Sequence, residues 1–147
     1  MKGRTLSTTF DALKTFYRKL RLVHYRELFG RIREKDGSLS ATEAFAADVI
    51  YLLENPTVSA LADTLGISQP NATYKINNLS AKGYVNRSSS EDDKRECRVS
   101  VSDKFYSYYD TDCDFLQNAV EALRDEFSPE ELDCFEKVLR ALNDKIG

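Results

Sequence analysis

Apolar side chains recur at steps of three and four residues in long stretches of this sequence, a spacing that predicts amphipathic helices. One such series lies in the N-terminal part of the chain and two lie in the C-terminal part. Their members are Phe10, Leu13, Tyr17, Leu20 and His24; Phe105, Tyr109, Leu116, Val120, Leu123 and Phe127; and Leu132, Phe135, Leu139, Leu142 and Ile146. Because the steps alternate over several turns, we expect long helices that pack side by side at both ends of the chain.

Two four-residue motifs mark where further helices begin. Residues 40–43 read Ser-Ala-Thr-Glu, and residues 128–131 read Ser-Pro-Glu-Glu. In each, the serine hydroxyl can accept a hydrogen bond from the amide three residues on, and the glutamate can accept from the amide of the serine. Pro129 suits the first turn of a helix, where no intrahelical donor is needed. We therefore predict helices that start after Ser40 and after Ser128.

The centre of the chain predicts two short helices joined by a tight turn. The apolar face of the first carries Leu61, Ala62 and Leu65, and that of the second carries Ala72, Ile76 and Leu79. Between them, Gly66 allows the positive φ of a sharp turn. Ser68 suits the N-cap of the second helix and Pro70 its first turn, while Lys82 followed by Gly83 is a typical C-terminal end.

Two short β-strands are predicted next, because apolar and polar side chains alternate there. The inward positions are Val85 and Arg87 in the first strand and Cys97, Val99 and Val101 in the second. A loop from Ser88 to Arg95 joins them. Two helices around a turn, followed by a hairpin, are the order of a winged helix-turn-helix. We predict a mainly α fold with a small β-wing, flanked by long N- and C-terminal helices.

The face of the second helix opposite its apolar stripe carries no acidic residue. A helical projection places Pro70, Tyr74, Asn77, Asn78 and Ala81 on this face, with Asn71 and Thr73 on its flanks. Asparagine can pair with both edge groups of adenine, threonine can bond several bases, and tyrosine can reach phosphate. Ser68, Gln69 and Asn71 add donors at the helix N-terminus, where the backbone dipoles attract phosphate. Together with the turn and the wing, this face predicts binding to duplex DNA; for the face taken alone, a solvated polar surface is the alternative.

The loop of the wing contains the arginine that we expect to reach a minor groove. Narrow A·T-rich grooves attract arginine most strongly, and Arg95 is the candidate. Asp93 lies two residues earlier and can hold its guanidinium by charge-assisted hydrogen bonds. Residues 91–100 hold four acidic and three basic side chains, so a solvated charged hairpin is the alternative.

These residues resemble the MarR (multiple antibiotic resistance regulator) family of bacterial transcription factors. The resemblance rests on LADTLGISQPNATYKINNLSAKGYVNR, followed by DDKRECRVSVS. Asp93, Lys94 and Arg95 match the Asp-x-Arg of the family's wing tip, which implies that they contact DNA. The likeness is close over residues 39–102 and extends to the flanks by organisation only.

The resemblance implies an obligate homodimer, a pseudo-palindromic operator, usually repression, and often a small effector bound between the dimerisation and DNA-binding regions. Two features depart from the family. Phe105 stands where the family often has glycine after the second strand, and a serine run replaces the proline-containing start of the wing.

Charge is distributed unevenly along the chain, whose net charge is −3. Residues 1–35 hold ten basic and three acidic side chains, whereas residues 101–147 hold five basic and twelve acidic ones. We therefore expect the first helix to contact the last helices in a dimerisation platform, with a monomeric helical bundle as the alternative. The predicted regions are 1–36 (N-terminal dimerisation helix), 37–101 (DNA-binding region) and 102–147 (C-terminal dimerisation helices).

Aromatic side chains near the first series suggest an effector pocket. His24, Tyr25 and Tyr51 can line a site for an aromatic or lipophilic anion, although core packing explains the same residues. His24 is the only histidine, so we expect no metal site. Without a glycine-rich phosphate loop, a nucleophile elbow or a convincing triad, we expect neither a cofactor nor an enzyme.

Two other function classes stay open. One is a winged helix that binds protein instead of DNA. The other is a thiol-based redox regulator, since three cysteines without metal-type spacing suggest reduced thiols. The N-terminus lacks a secretory apolar core, and the sequence has no apolar run long enough to span a membrane, so we expect a cytoplasmic protein.

Overall fold

The computed structural model describes residues 2–33, 39–89, 97–108 and 114–146. Within those ranges the chain forms seven helices and two strands. In chain order they are α1 (Lys2–Arg33), α2 (Ala41–Leu52), α3 (Val58–Leu65), α4 (Gln69–Ala81), β1 (Val85–Ser89), β2 (Cys97–Val101), α5 (Asp103–Tyr108), α6 (Asp114–Leu123) and α7 (Pro129–Asn143). The predicted class, mainly α with a small β-wing, is confirmed.

The chain divides into two compact units, residues 1–110 and residues 111–147. The core of the first unit lies where α2, α3, α4 and the two strands meet. Its most deeply buried side chains include Ala44, Ala47, Ile50, Leu61, Ala72, Ile76, Leu79, Val99 and Phe105. Alanines in α2 and α4 leave room for the helices to approach each other closely, so that the larger side chains fill the space between them.

The turn between α3 and α4 has the predicted conformation. Gly66 takes the left-handed conformation at φ 65°, and the Ile67 amide donates to the Ala62 carbonyl at 3.0 Å. Ser68 is the N-cap of α4 and accepts from the Asn71 amide. At the other end, Gly83 has φ 81° and directs the chain into the sheet.

Both predicted capping boxes are present. Glu43 accepts from the Ser40 amide at 2.8 Å, and Glu131 accepts from the Ser128 amide at 2.9 Å. In each motif the serine hydroxyl accepts in return from the amide of the glutamate. These reciprocal bonds satisfy amides of the first turn and fix where α2 and α7 begin.

The antiparallel sheet is anchored to the start of α3. Its register runs from Val85 opposite Val101 to Ser89 opposite Cys97. On the far side of β2, the Val99 amide donates to the Pro56 carbonyl at 3.0 Å. Thr57 forms a β-bridge with Arg98 and is also the N-cap of α3. These hydrogen bonds attach the base of the wing to the segment that leads into α3.

The predicted alternation in β1 is wrong beyond its first residue. Val85 is buried, but Arg87 is exposed, and Ser88, which was expected in the loop, lies in the strand opposite Arg98. The core covers β2 as far as Val99, opposite Arg87, but the long Arg87 side chain extends over the surface to the Asn77 side chain of α4.

Helix α1 packs on α2 through its C-terminal half. Leu28 is buried, and the rings of Tyr25 and Phe29 meet Phe45 edge to face. Farther towards the N-terminus the same helix leaves large apolar side chains uncovered in the single chain; Phe10, for example, is 62% exposed.

Phe105 was predicted to belong to a long helical series at the C-terminal end of the chain, but it lies in the core of the first unit. It is fully buried there, against the Tyr51 ring at 5.7 Å. The reason is a turn at Ser102, whose hydroxyl accepts from the Phe105 amide and donates to the Gly83 carbonyl at 2.6 Å. Tyr109, the next member of the predicted series, lies outside the described residues.

The second unit contains α6 and α7. Apolar side chains of these helices and of the segment that joins them border a cavity of about 540 Å³. They are Val120, Leu123, Phe127, Leu132, Phe135 and Leu139. In the described ranges, no helix combines the length and apolar character needed to cross a bilayer.

Candidate nucleic-acid interface

The inward stripe of α4 determines which face the helix presents outward. Ala72, Ile76 and Leu79 are completely buried against α2, α3 and β1. Because a helix turns by about 100° per residue, burial of these three positions directs the opposite positions away from the core. The outward face of α4 is thus held by the packing of the whole first unit.

Most of the predicted contact residues lie on that outward face. Ser68, Gln69, Pro70, Asn71, Tyr74 and Asn77 are exposed, whereas Thr73 and Asn78 are half-buried. Tyr74 is 65% exposed. Asn78 was expected among the outermost positions, and its partial burial is a departure from the projection.

Side chains of other elements hold two of these residues. The Gln69 amide nitrogen lies 3.3 Å from the Ser59 hydroxyl of α3. Arg87 Nη2, from β1, donates to Asn77 Oδ1 at 2.5 Å. The two helices of the motif and the wing are thus tied together by polar contacts at the surface of α4. The roles of Ser59 and Arg87 do not follow from the local sequence pattern, because both contacts join separate elements.

The wing arginine contact predicted for Arg95, with Asp93 and Lys94, lies outside the described residues. Arg98, three positions farther along the chain, lies in β2 and is described. Arg98 Nη1 donates to the Asn55 carbonyl at 3.2 Å. This bond adds to the β-bridge that anchors β2 to the segment before α3.

Two lysine side chains lie at the C-terminal end of α4. Lys82, the C-cap, lies 2.8 Å from Glu43 Oε2 through its Nζ. Lys104 Nζ donates to the Lys82 carbonyl at 2.6 Å and lies 4.5 Å from the Tyr84 ring centroid. Cations at this position interact favourably with the negative end of the helix dipole.

The Lys82 ion pair changes the titration of its partner. Partial burial alone raises the pKa of Glu43, but the hydrogen bonds from Lys82 and Ser40 outweigh it, so the pKa lies below its ordinary value. Glu43 is therefore a carboxylate at neutral pH, and its charge is directed at Lys82.

The three residues proposed for an effector fall into two groups of ring contacts. His24 and Tyr25 are adjacent on α1, with ring centroids 5.6 Å apart, and His24 Nε2 lies 3.5 Å from Asp48 Oδ2. Tyr51 packs against Phe105 and meets Tyr106 edge to face.

Tyr51 also lines a cavity of about 530 Å³ in the first unit. The other lining residues are Ile50, Leu52, Glu54, Asn55, Ser100, Val101 and Tyr106. Glu54 and Asn55 both have left-handed backbone conformations, at φ 50° and 64°. The cavity combines aromatic walls with polar groups, as small-molecule sites do.

The described part of the chain offers few side chains for metal binding or thiol chemistry. There, no group of three or more His, Cys, Asp or Glu side chains is arranged to hold a metal ion. Cys97 is half-buried and Cys134 is exposed, and both are free thiols.

Comparison with known proteins identifies the winged region. Residues 39–97 match the sequence profile of the MarR family, while a comparison with curated proteins finds no match. Among solved structures, FabT from Streptococcus pneumoniae, in a crystal with DNA, is 26% identical, with a TM-score of 0.52 and coverage of 90% of this chain and 96% of FabT. A MarR family protein from Bacillus stearothermophilus is 20% identical, with a TM-score of 0.67 and coverage of 99% of this chain and 98% of that one.

A MepR variant from S. aureus shares the fold at 13% identity, with a TM-score of 0.63 and coverage of 91% and 96%. The order of elements, the left-handed Gly66 turn and the two-stranded wing agree with these similarities. Residues 39–97 therefore match the MarR family, and the chain shares the winged helix-turn-helix fold of these solved structures.

Proposed function

We propose that this protein regulates transcription by sequence-specific binding to double-stranded DNA. The observation that carries the proposal is the outward face of α4, which is exposed, rich in amides and free of carboxylates. A phosphate backbone repels carboxylates, and the major groove accepts a helix whose side chains can reach base edges. FabT, which is similar over most of this chain, was crystallised with DNA and supports the proposal.

We expect the N-terminal half of α4 to lie deepest in the groove. Gln69, Asn71 and Tyr74 are exposed there, in or next to the first turn. Ser68 caps the Asn71 amide and Pro70 has no N–H, which leaves the Gln69 amide of the first turn to bind phosphate. Asn77 and the half-buried Asn78 then lie one turn farther along the groove.

The protein acts as a homodimer in this proposal. In the single chain, α1 exposes Phe10, Phe16 and Tyr17, and α7 exposes Phe135 and Val138. An N-terminal helix with an excess of basic side chains and a C-terminal region with an excess of acidic ones can pair through these apolar surfaces. Two-fold symmetry would place half-sites about 10 base pairs apart, or a multiple of that.

The proposal also includes regulation by a small effector molecule. The family resemblance suggests repression that an effector relieves. Two places can take such a ligand: the ring pair of His24 and Tyr25, and the cavity beside Tyr51. A ligand acts only by its difference in affinity between the DNA-binding and the released conformations.

Fluorescence anisotropy with a labelled duplex, enriched by this protein from random sequence, tests DNA binding. We expect affinity to fall steeply between about 50 and 200 mM salt, because bound phosphates release counterions. Asn71→Ala should cost about 1 to 3 kcal/mol if its amide makes a bidentate base contact. Asn143→Ala is the matched control, since Asn143 is an exposed asparagine at the end of α7.

Three outcomes would redirect the proposal. An absence of salt-dependent binding to the duplex would favour a winged helix that binds protein. An affinity that changes after peroxide treatment would favour the thiol-based regulator. A monomer in analytical ultracentrifugation would reject the homodimer.

A further inference from the structure

Arg87 lies on the face of the wing that packs towards α4. It stands opposite Val99 in the sheet and shares the side of β1 that carries Val85, and both valines are buried. The core still covers Val99 at this level, but the long Arg87 side chain is exposed and extends over the surface. Its Nη2 reaches Asn77 Oδ1, at 2.5 Å, on the outward face of α4.

The chemistry of this contact determines which way the Asn77 amide faces. A guanidinium group has five N–H donors and no acceptor, so Asn77 must turn its oxygen towards Arg87. The amide nitrogen, with its two N–H donors, then points away from Arg87. Both side chains are exposed, so those donors are available to a partner on the outer side of the helix.

We propose that Arg87 sets the base preference of Asn77, so that Asn77 presents its two N–H donors outward and selects guanine in the major groove. This inference rests on the proposed DNA binding. Guanine shows two adjacent acceptors, O6 and N7, which the two N–H groups can share. Arg87 is thus a positioning residue that acts through Asn77.

The usual partner of asparagine is disfavoured by the same geometry. Adenine shows N7 as an acceptor beside the N6 donor, and pairing with both requires the amide oxygen as well as the nitrogen. In this protein Arg87 takes one lone pair of that oxygen and directs the oxygen towards the wing, which places it poorly for accepting from N6 as well. Thymine offers one acceptor and cytosine a donor, so each satisfies fewer of the free groups.

Selection of binding sites from a randomised duplex library tests the proposal. We expect the wild type to favour guanine over adenine roughly tenfold at one position of each half-site, as for one bidentate contact. Arg87→Met should release the amide and shift the preference at that position to adenine. Arg87→Lys restores a donor and should restore guanine. Arg140→Met removes an exposed arginine from α7, outside the winged region, and it should leave the preference unchanged.

Asn77 variants separate positioning from direct reading by Arg87. Asn77→Ala should lose the guanine preference, because the proposed reader is gone. Asn77→Asp still accepts from Arg87 but has no N–H to donate, so it should also lose the preference. Asn77→Asp keeps the test decisive if Arg87→Met fails to fold.

Several results would overturn the inference while leaving DNA binding intact. Retained guanine preference in Asn77→Ala would mean that Arg87 itself reads the base. An equal loss of affinity on all sequences in Arg87→Met, with a smaller salt slope, would mean that Arg87 contacts phosphate only. If the wild type enriches no sequence and binds no duplex in a salt-dependent way, the proposed function itself fails.

Discussion

Glu43 Oε2 lies 2.8 Å from Lys82 Nζ and 2.8 Å from the Ser40 amide, so one carboxylate oxygen joins the first turn of α2 to the C-cap of α4. The two side chains are separated by 39 positions in the sequence. Lys104 Nζ donates a hydrogen bond to the backbone carbonyl of Lys82. The C-terminal end of α4 is therefore fixed by charges as well as by apolar packing.

Lys82→Met should lower the free energy of unfolding by about 1 to 2 kcal/mol, because a charge-assisted hydrogen bond is lost and a largely buried carboxylate keeps no cationic partner. Urea unfolding measures this change. Arg140→Met is the matched control, because it breaks an ion pair with Glu136 in which both side chains are mostly exposed. This substitution should cost under about 0.5 kcal/mol. Equal losses in the two variants would contradict a specific role for Lys82.

The same pair predicts how stability depends on pH. The pKa of Glu43 is lowered in the folded protein, so its contribution is complete above the ordinary glutamate pKa of about 4.3 and is lost as the pH falls through the lower folded value. Glu43→Gln keeps an oxygen for the capping box but carries no charge. We expect the difference in unfolding free energy between wild type and Glu43→Gln to stay constant from neutral pH to about 5 and to shrink below about 4.3. A difference that grows on acidification would contradict the sign.

Two glycines should respond in opposite directions to the same substitution. Gly66 has φ 65°, where an alanine is strained although nothing crowds its Cβ, so Gly66→Ala should cost about 1 to 2 kcal/mol. Gly30 lies inside α1 with open space around a Cβ, so Gly30→Ala should stabilise the protein by about 0.5 to 1 kcal/mol. Urea unfolding of both variants gives the comparison. Unchanged stability in Gly66→Ala would contradict the argument from backbone conformation, and a loss in Gly30→Ala would contradict the argument from helix propensity.

The winged region could be predicted from local rules because each of its boundaries has its own signal. Ser40, Gly66 and Ser68 each act through backbone groups within five residues, and the structure confirms all three. The stripe of Ala72, Ile76 and Leu79 follows from the helical period alone. In this region the capping residues and the apolar positions indicate the same helix boundaries and the same buried face, so the structure could be predicted from the sequence.

Contacts between distant residues could not be predicted in the same way. The helical period does not show that Glu43 meets Lys82, because that contact depends on how α2 and α4 cross. Arg87 was placed correctly on the face of Val85, but its exposure depends on how its long side chain extends over the surface. Phe105 fitted a helical series in the sequence, yet the Ser102 turn takes it into the core.

Arg95→Ala should weaken operator binding more when A·T pairs flank the half-site than when G·C pairs do, because narrow minor grooves concentrate negative potential around an inserted arginine. Arg95 lies two residues before β2, whose base is anchored to the segment before α3 by the Thr57 bridge. Anisotropy titrations with two duplexes that differ only in the flanks measure the effect. Lys94→Ala removes one charge from the neighbouring position and should lower affinity equally on both duplexes, since phosphate contacts do not depend on sequence. If Arg95→Ala also loses affinity equally on both, the arginine contacts phosphate and does not respond to groove width.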